Sequence, residues 1–195
     1  QGGSYRADSE VFLQGQPLNV TDICVGPDGA LYFCTGGRGT SGGIYRVVWD
    51  GNIPDRVKNL GTGVAAAIRQ PQLESAWARQ EIARIKSELG GSWGELVAGV
   101  AYSDENPPHY RIRAMDLMQL FGPVATQDLL VDLSEARSEP VRAKAAQLLG
   151  LNPGRRSARR LAEMLDDSDA RVRRAACEAI LRSGQYPSAD LVLPL

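Results

Sequence analysis

The sequence is short of the side chains that metal, haem and acid–base chemistry use. Histidine occurs once, at His109, and a lone histidine with no cysteine pair at ligand spacing supplies no zinc ligand set. Its place near a helix start reads as a solvated or capping side chain. The three cysteines, Cys24, Cys34 and Cys177, follow no disulfide-framework spacing, and no Cys-x-x-Cys-His run is present to attach haem. A formal charge of −1 gives no net field to draw nucleic acid or an anionic membrane. No apolar run approaches the length of a membrane span. The chain opens without an initiator Met or a signal-peptide pattern, so it reads as an internal piece of a longer protein, and the missing signal decides nothing.

What is present divides into two regions of different period. Hydrophobic content of 43% beside 23% charged residues is ordinary for a folded, soluble chain and excludes wholesale disorder. Up to about Asp50 the pattern is β. Residues 20–25 and 30–35 are strand-like runs joined by Gly26–Pro27–Asp28–Gly29, a strong turn signal. A third run, 44–49, follows a Gly-rich loop at 36–43, and 9–13 offers a fourth. The hairpin places Cys24 near Leu31 or Tyr32 and Cys34 near Thr21 or Asp22, about two pair positions apart, which is too far for a disulfide. A lone meander of this kind is only marginally stable in water.

Residues 51–70 read as a linker rich in Gly, Asn and Asp. From Pro71 onward helix formers dominate, apolar residues recur at three and four, and Gly or Pro marks the breaks. A self-comparison gives a repeat. Arg79, Arg111, Arg142 and Arg173 are spaced 32, 31 and 31 residues apart, each after a small or apolar residue. Three residues beyond them come Ile82, Ala114, Ala145 and Ala176, then Ala83, Met115, Ala146 and Cys177. Cys177 thereby occupies a slot for a small buried hydrophobe. These are the second helices of helical hairpins. Leu130, Leu161 and Val192, with Leu133, Met164 and Leu195, carry the same 31-residue register for the first helices. The chain then stops inside a repeat. Such hairpins bury their apolar faces only by stacking. The fold class expected is α+β: mainly an α-solenoid over 71–195, preceded by a short antiparallel β-meander over 1–50.

Three constellations resemble chemistry. Gly37–Arg38–Gly39–Thr40–Ser41–Gly42 fits the dinucleotide fingerprint, but that fingerprint needs a helix next to hold phosphate, and a β-branched run follows instead. The Arg79, Arg111, Arg142, Arg173 ladder reads as a structural device in which each guanidinium pairs with loop acids or carbonyls. Arg155, Arg156, Arg159 and Arg160 line up at helical spacing as a possible interaction surface. Glu163, Asp166, Asp167 and Asp169 interleave with them and no aromatic residues accompany them, so a salt-bridged face is favoured over a nucleic-acid stripe. Asn19–Val20–Thr21 is a glycosylation sequon by pattern only.

With Val141–Arg142 and Val172–Arg173 as its hallmark pairs, the helical region resembles short HEAT repeats of the phycobilin-lyase type. Val20–Thr21–Asp22–Ile23, Gly26–Pro27–Asp28–Gly29–Ala30–Leu31–Tyr32 and Gly43–Ile44–Tyr45–Arg46–Val47 resemble the last blade of a β-propeller of the sugar or sorbosone dehydrogenase type. The two together look like large bacterial proteins of planctomycete type, putative membrane-bound dehydrogenases. That resemblance implies a parent able to bind pyrroloquinoline quinone and oxidise sugars outside the cytoplasm. A propeller site is assembled from several blades, so no catalytic, cofactor or metal residue is assigned here. Arg38 alone is nominated as facing such a site. The expected role is a scaffold that docks a protein partner or braces the parent's own propeller.

Overall fold

The computed structural model describes residues 6–37 and 39–184. Arg38, nominated above, and Val192 and Leu195 of the register lie outside the described residues. The chain divides into two compact units, Arg6–Arg84 and one beginning at Ile85.

In the first unit β1 (Val20–Val25), β2 (Leu31–Gly37) and β3 (Thr40–Val47) form one antiparallel sheet in the order β1-β2-β3. Cys24 pairs with Tyr32 and Cys34 with Asp22, and all three cysteines are free. Cross-strand partners share a face. Ile23, Phe33 and Tyr45 fall together, as do Val25, Leu31 and Val47, which makes one face wholly apolar. The rings of Phe33 and Tyr45 stack with centroids 4.9 Å apart. The other face carries a polar triad: Asp28 Oδ2 accepts from Tyr32 Oη and Arg46 Nε, both at 2.9 Å. The Arg46 guanidinium holds the Asp28 carboxyl below the usual aspartate range, helped by the Ala30 amide and the Tyr32 hydroxyl.

Three expectations change here. The segment 36–43 is mostly strand, not loop: Thr35 pairs with Gly43 and Gly37 with Thr40, leaving a two-residue turn. A β-carbon on Gly42 would lie 2.9 Å from the Thr35 carbonyl oxygen, so glycine here permits close backbone approach at an irregular ladder position. Residues 9–13 form no strand, and Val11, Phe12 and Leu13 are exposed. The segment 51–70 contains α1 (Asp55–Lys58) and α2 (Gly63–Arg69). Ala65, Ala66 and Ala67 have the highest helix propensity available, and the glycines on either side disguised them. Helix α3 (Ala76–Leu89) follows.

The second unit repeats one motif. Helices α4 (Trp93–Tyr102) and α5 (Pro108–Phe121), α6 (Gln127–Leu133) and α7 (Glu139–Leu149), α8 (Arg155–Glu163) and α9 (Ala170–Ser183) form three hairpins. Their starts are marked as the sequence suggested. Pro108 and Pro140 occupy first-turn positions where no amide partner is lost. Thr126 Oγ1 accepts from the Leu129 amide at 3.2 Å, and Asp169 Oδ1 from the Arg171 amide at 2.9 Å. The first helices bury Trp93 and Val97, Leu130 and Leu133, Leu161 and Met164. The second helices bury Ala114 and Met115, Ala145 and Ala146, Ala175 and Ala176. These positions recur in the 31-residue register and merge into one core, as stacked repeats require. Cys177 is only half-buried, because its position on α9 lies at the margin of that core. Among the described residues no helix is long and apolar enough to cross a membrane.

Candidate protein-docking surfaces of the repeats

Each arginine of the ladder sits one residue beyond a buried or half-buried residue near the start of a second helix, which aims it back at the preceding turn. Arg111 is buried, with its side chain 5% exposed. Its Nε donates to the Ala101 carbonyl at 2.8 Å, its Nη2 to the Tyr102 carbonyl at 3.3 Å, and its Nη1 to Asp104. Arg142 Nη1 donates to the Ala136 and Arg137 carbonyls at 3.0 and 3.1 Å. Arg173 Nη1 does the same to Asp167 and Ser168 at 2.8 and 3.2 Å. These carbonyls belong to helix ends and turns that lack intrahelical partners. Arg79 is exposed on α3.

Arg142 also reaches across to the next repeat. Its Nε and Nη2 meet both carboxylate oxygens of Asp167 at 2.8 Å each, a bidentate fork. The two side chains are 15% and 11% exposed. The fork pushes the Asp167 carboxyl below its ordinary value against the opposing effect of burial. The sequence reading missed this pairing. Its signal was an acid at 167 where Ala136 stands one repeat earlier.

The four arginines of α8 do not act as one stripe. Arg155 is exposed. Arg156 pairs with Asp128 of α6. Arg159 Nε meets Glu163 Oε1 at 3.1 Å, four residues along the helix. Arg160 turns inward, its Nε 2.7 Å from Ser134 Oγ and its Nη2 3.1 Å from the Ser134 carbonyl. Arg160 and then Arg159 hold the Glu163 carboxyl below its ordinary value. The cations are spent on acids and carbonyls of the repeats themselves.

The second helices offer a different surface. An open groove of about 370 Å³ runs over α5, α7 and α9, floored by Ile112, Pro140, Ala143 and Ala175. Ion pairs tie its walls across successive repeats: Lys144 Nζ to Asp116 at 2.5 Å and Arg171 Nη2 to Glu139 at 3.0 Å. Nearby on α5, burial pushes the Arg113 guanidinium down while Asp116 opposes the shift. A second cleft of about 640 Å³ opens between the turn at Tyr102–Ser103–Asp104 and the turn carrying Asp132, Glu135 and Ala136. His109 is exposed, its ring 4.1 Å from that of Tyr110. Among the described residues no group of three or more His, Cys, Asp or Glu side chains is placed to hold a metal ion.

A family model described as HEAT repeats matches residues 95–182, which runs from within α4 to within α9 and takes in all three hairpins. Arg79 lies outside the matched segment. Neither curated proteins nor solved structures give a match.

Proposed function

We propose that α4–α9 is a non-catalytic interaction module whose groove along the second helices docks a protein partner. The match to HEAT repeats supports this, since such repeats generally serve protein–protein contact, and stacked hairpins present an extended surface. The observation that carries it is the groove itself: an apolar floor of Ile112, Pro140, Ala143 and Ala175 open to solvent. Charged residues beside it hold one another across repeats, so the walls are set before any partner arrives. Preorganisation of this kind lowers the cost of binding. The test is Ala143→Trp, which fills the groove, beside Arg155→Glu on α8. Partner capture from the source cells is expected to be lost in the first and kept in the second. Capture unaffected by Ala143→Trp contradicts the reading.

The β unit favours a second reading, that the repeats brace a propeller in a larger oxidoreductase of the quinone-dependent sugar dehydrogenase type. Ile23 and Tyr45 on the apolar sheet face are 59% and 46% exposed, and a sheet of three strands gains from a further apolar layer. On that reading the catalytic centre lies in other blades, the parent works outside the cytoplasm, and pyrroloquinoline quinone belongs to it. Quinone-dependent dye reduction by these residues alone is expected to be nil, and sustained turnover contradicts it.

A further inference from the structure

We infer that the repeat unit is two rigid blocks, α4–α5 and α6–α9, jointed at the cleft between Asp104 and Ala136. The joint follows from an uneven distribution of clamps. Between the second and third hairpins, the Arg142 fork grips Asp167 at 2.8 Å on both oxygens. Arg160 reaches Ser134 at 2.7 Å, and Gln127 Nε2 donates to the Asn152 carbonyl at 3.2 Å. Gly150 at the end of α7 lies so close to α9 that a β-carbon would stand 2.8 Å from the Ala179 Cα. These ties join α6–α7 to α8–α9 at the ridge, along the first helices and through the backbone.

Between the first and second hairpins the ridge is built differently. Arg111 is the counterpart of Arg142, but the residue one period before Asp167 is Ala136, which has no carboxylate to offer. Arg111 therefore turns to Asp104 and the Ala101 carbonyl of its own hairpin. Where the third hairpin closes on Arg142, the cleft of about 640 Å³ remains, with Tyr102, Asp104 and Arg111 on one side and Asp132, Glu135 and Ala136 on the other. Lys144–Asp116 on the groove side stays as a polar tie, so bending about α5 and α7 opens and closes the cleft while the groove side holds. The connection from α5 to α6 turns at Gly122, whose φ of 65° suits glycine alone.

Native-state hydrogen exchange of the full chain across a denaturant series tests this, because blocks that open independently show separate opening reactions. Amides of α4–α5 are expected to share one opening and those of α6–α9 another, at least tenfold rarer. A single opening spanning α4–α9, or a division between α7 and α8, overturns the inference. In Asp167→Ala the exchange of α8–α9 is expected to rise on the order of tenfold or more, as loss of a charged hydrogen-bond pair implies, with α4–α5 unchanged. An equal rise in α4–α5, or no rise in α8–α9, counts against the clamp.

Discussion

At the scale of single residues, the ladder arginines do unequal work. Arg111 fills three acceptors from a buried position, so Arg111→Ala strands two carbonyls and opens a void. We expect a loss of about 2–4 kcal/mol in urea unfolding. Asp104→Ala removes a carboxylate that is 65% exposed and leaves the carbonyl bonds, so a loss of about 1 kcal/mol or less is expected. A reversed order would mean that charge pairing, not carbonyl capping, holds this turn. The Arg142–Asp167 fork adds a pH dependence. The Asp167 carboxyl lies below its ordinary value of 3.8 in the folded chain. Its contribution is therefore full above that value and is lost as pH falls through the lower folded-state value. Unfolding midpoints of the native chain and Asp167→Asn are expected to converge below pH 4; a gap constant with pH contradicts the assignment. Arg142→Ala, by the same geometry, is expected to cost about 2–3 kcal/mol.

At the scale of elements, legibility tracked how far each signal is local. The second helices could be read because a buried alanine pair and a turn-directed arginine recur every 31 residues, and the structure places Ala145, Ala146 and Ala176 in the core. Starts at Pro108, Pro140 and Asp169 were legible for the same reason, since caps act within one turn. Strand β3 was under-read because glycines at 36, 42 and 43 resemble a loop until a partner strand is present. The α8 arginines looked like a stripe because spacing along one helix says nothing of acids on another. Asp128 and Ser134 lie more than twenty residues before the arginines they meet. Two substitutions probe this scale. Gly150→Val drives side-chain atoms into Ala179, 2.8 Å from the new β-carbon, and is expected to lower stability by about 1–3 kcal/mol or more. Asp169→Ala removes the α9 cap and is expected to cost about 1 kcal/mol. Thermal melts that leave Gly150→Val unchanged would place α7 and α9 further apart than described.

At the scale of the whole molecule, the two units differ in how they keep apolar surface from water. From α4 to α9, Trp93, Leu130, Leu161 and their neighbours are fully covered. In Arg6–Arg84, Val11, Phe12, Ile44 and Trp49 each stand more than 70% exposed. Exposed apolar clusters of this sort mark surfaces meant for contact, so the β unit depends on neighbours more than the repeats do. The charge balance agrees with a docking role that is not electrostatic in origin. Arginines of α8 and the groove are matched by acids within the repeats, and binding through the groove is expected to weaken little with added salt. The most direct measurement is photo-crosslinking in the source cells from two positions of the full chain, Gln147 in the groove and Arg155 on α8. A discrete protein adduct from Gln147, absent from Arg155, is the expected result. Adducts from Arg155 alone, or from neither position, would contradict a docking surface on the second helices.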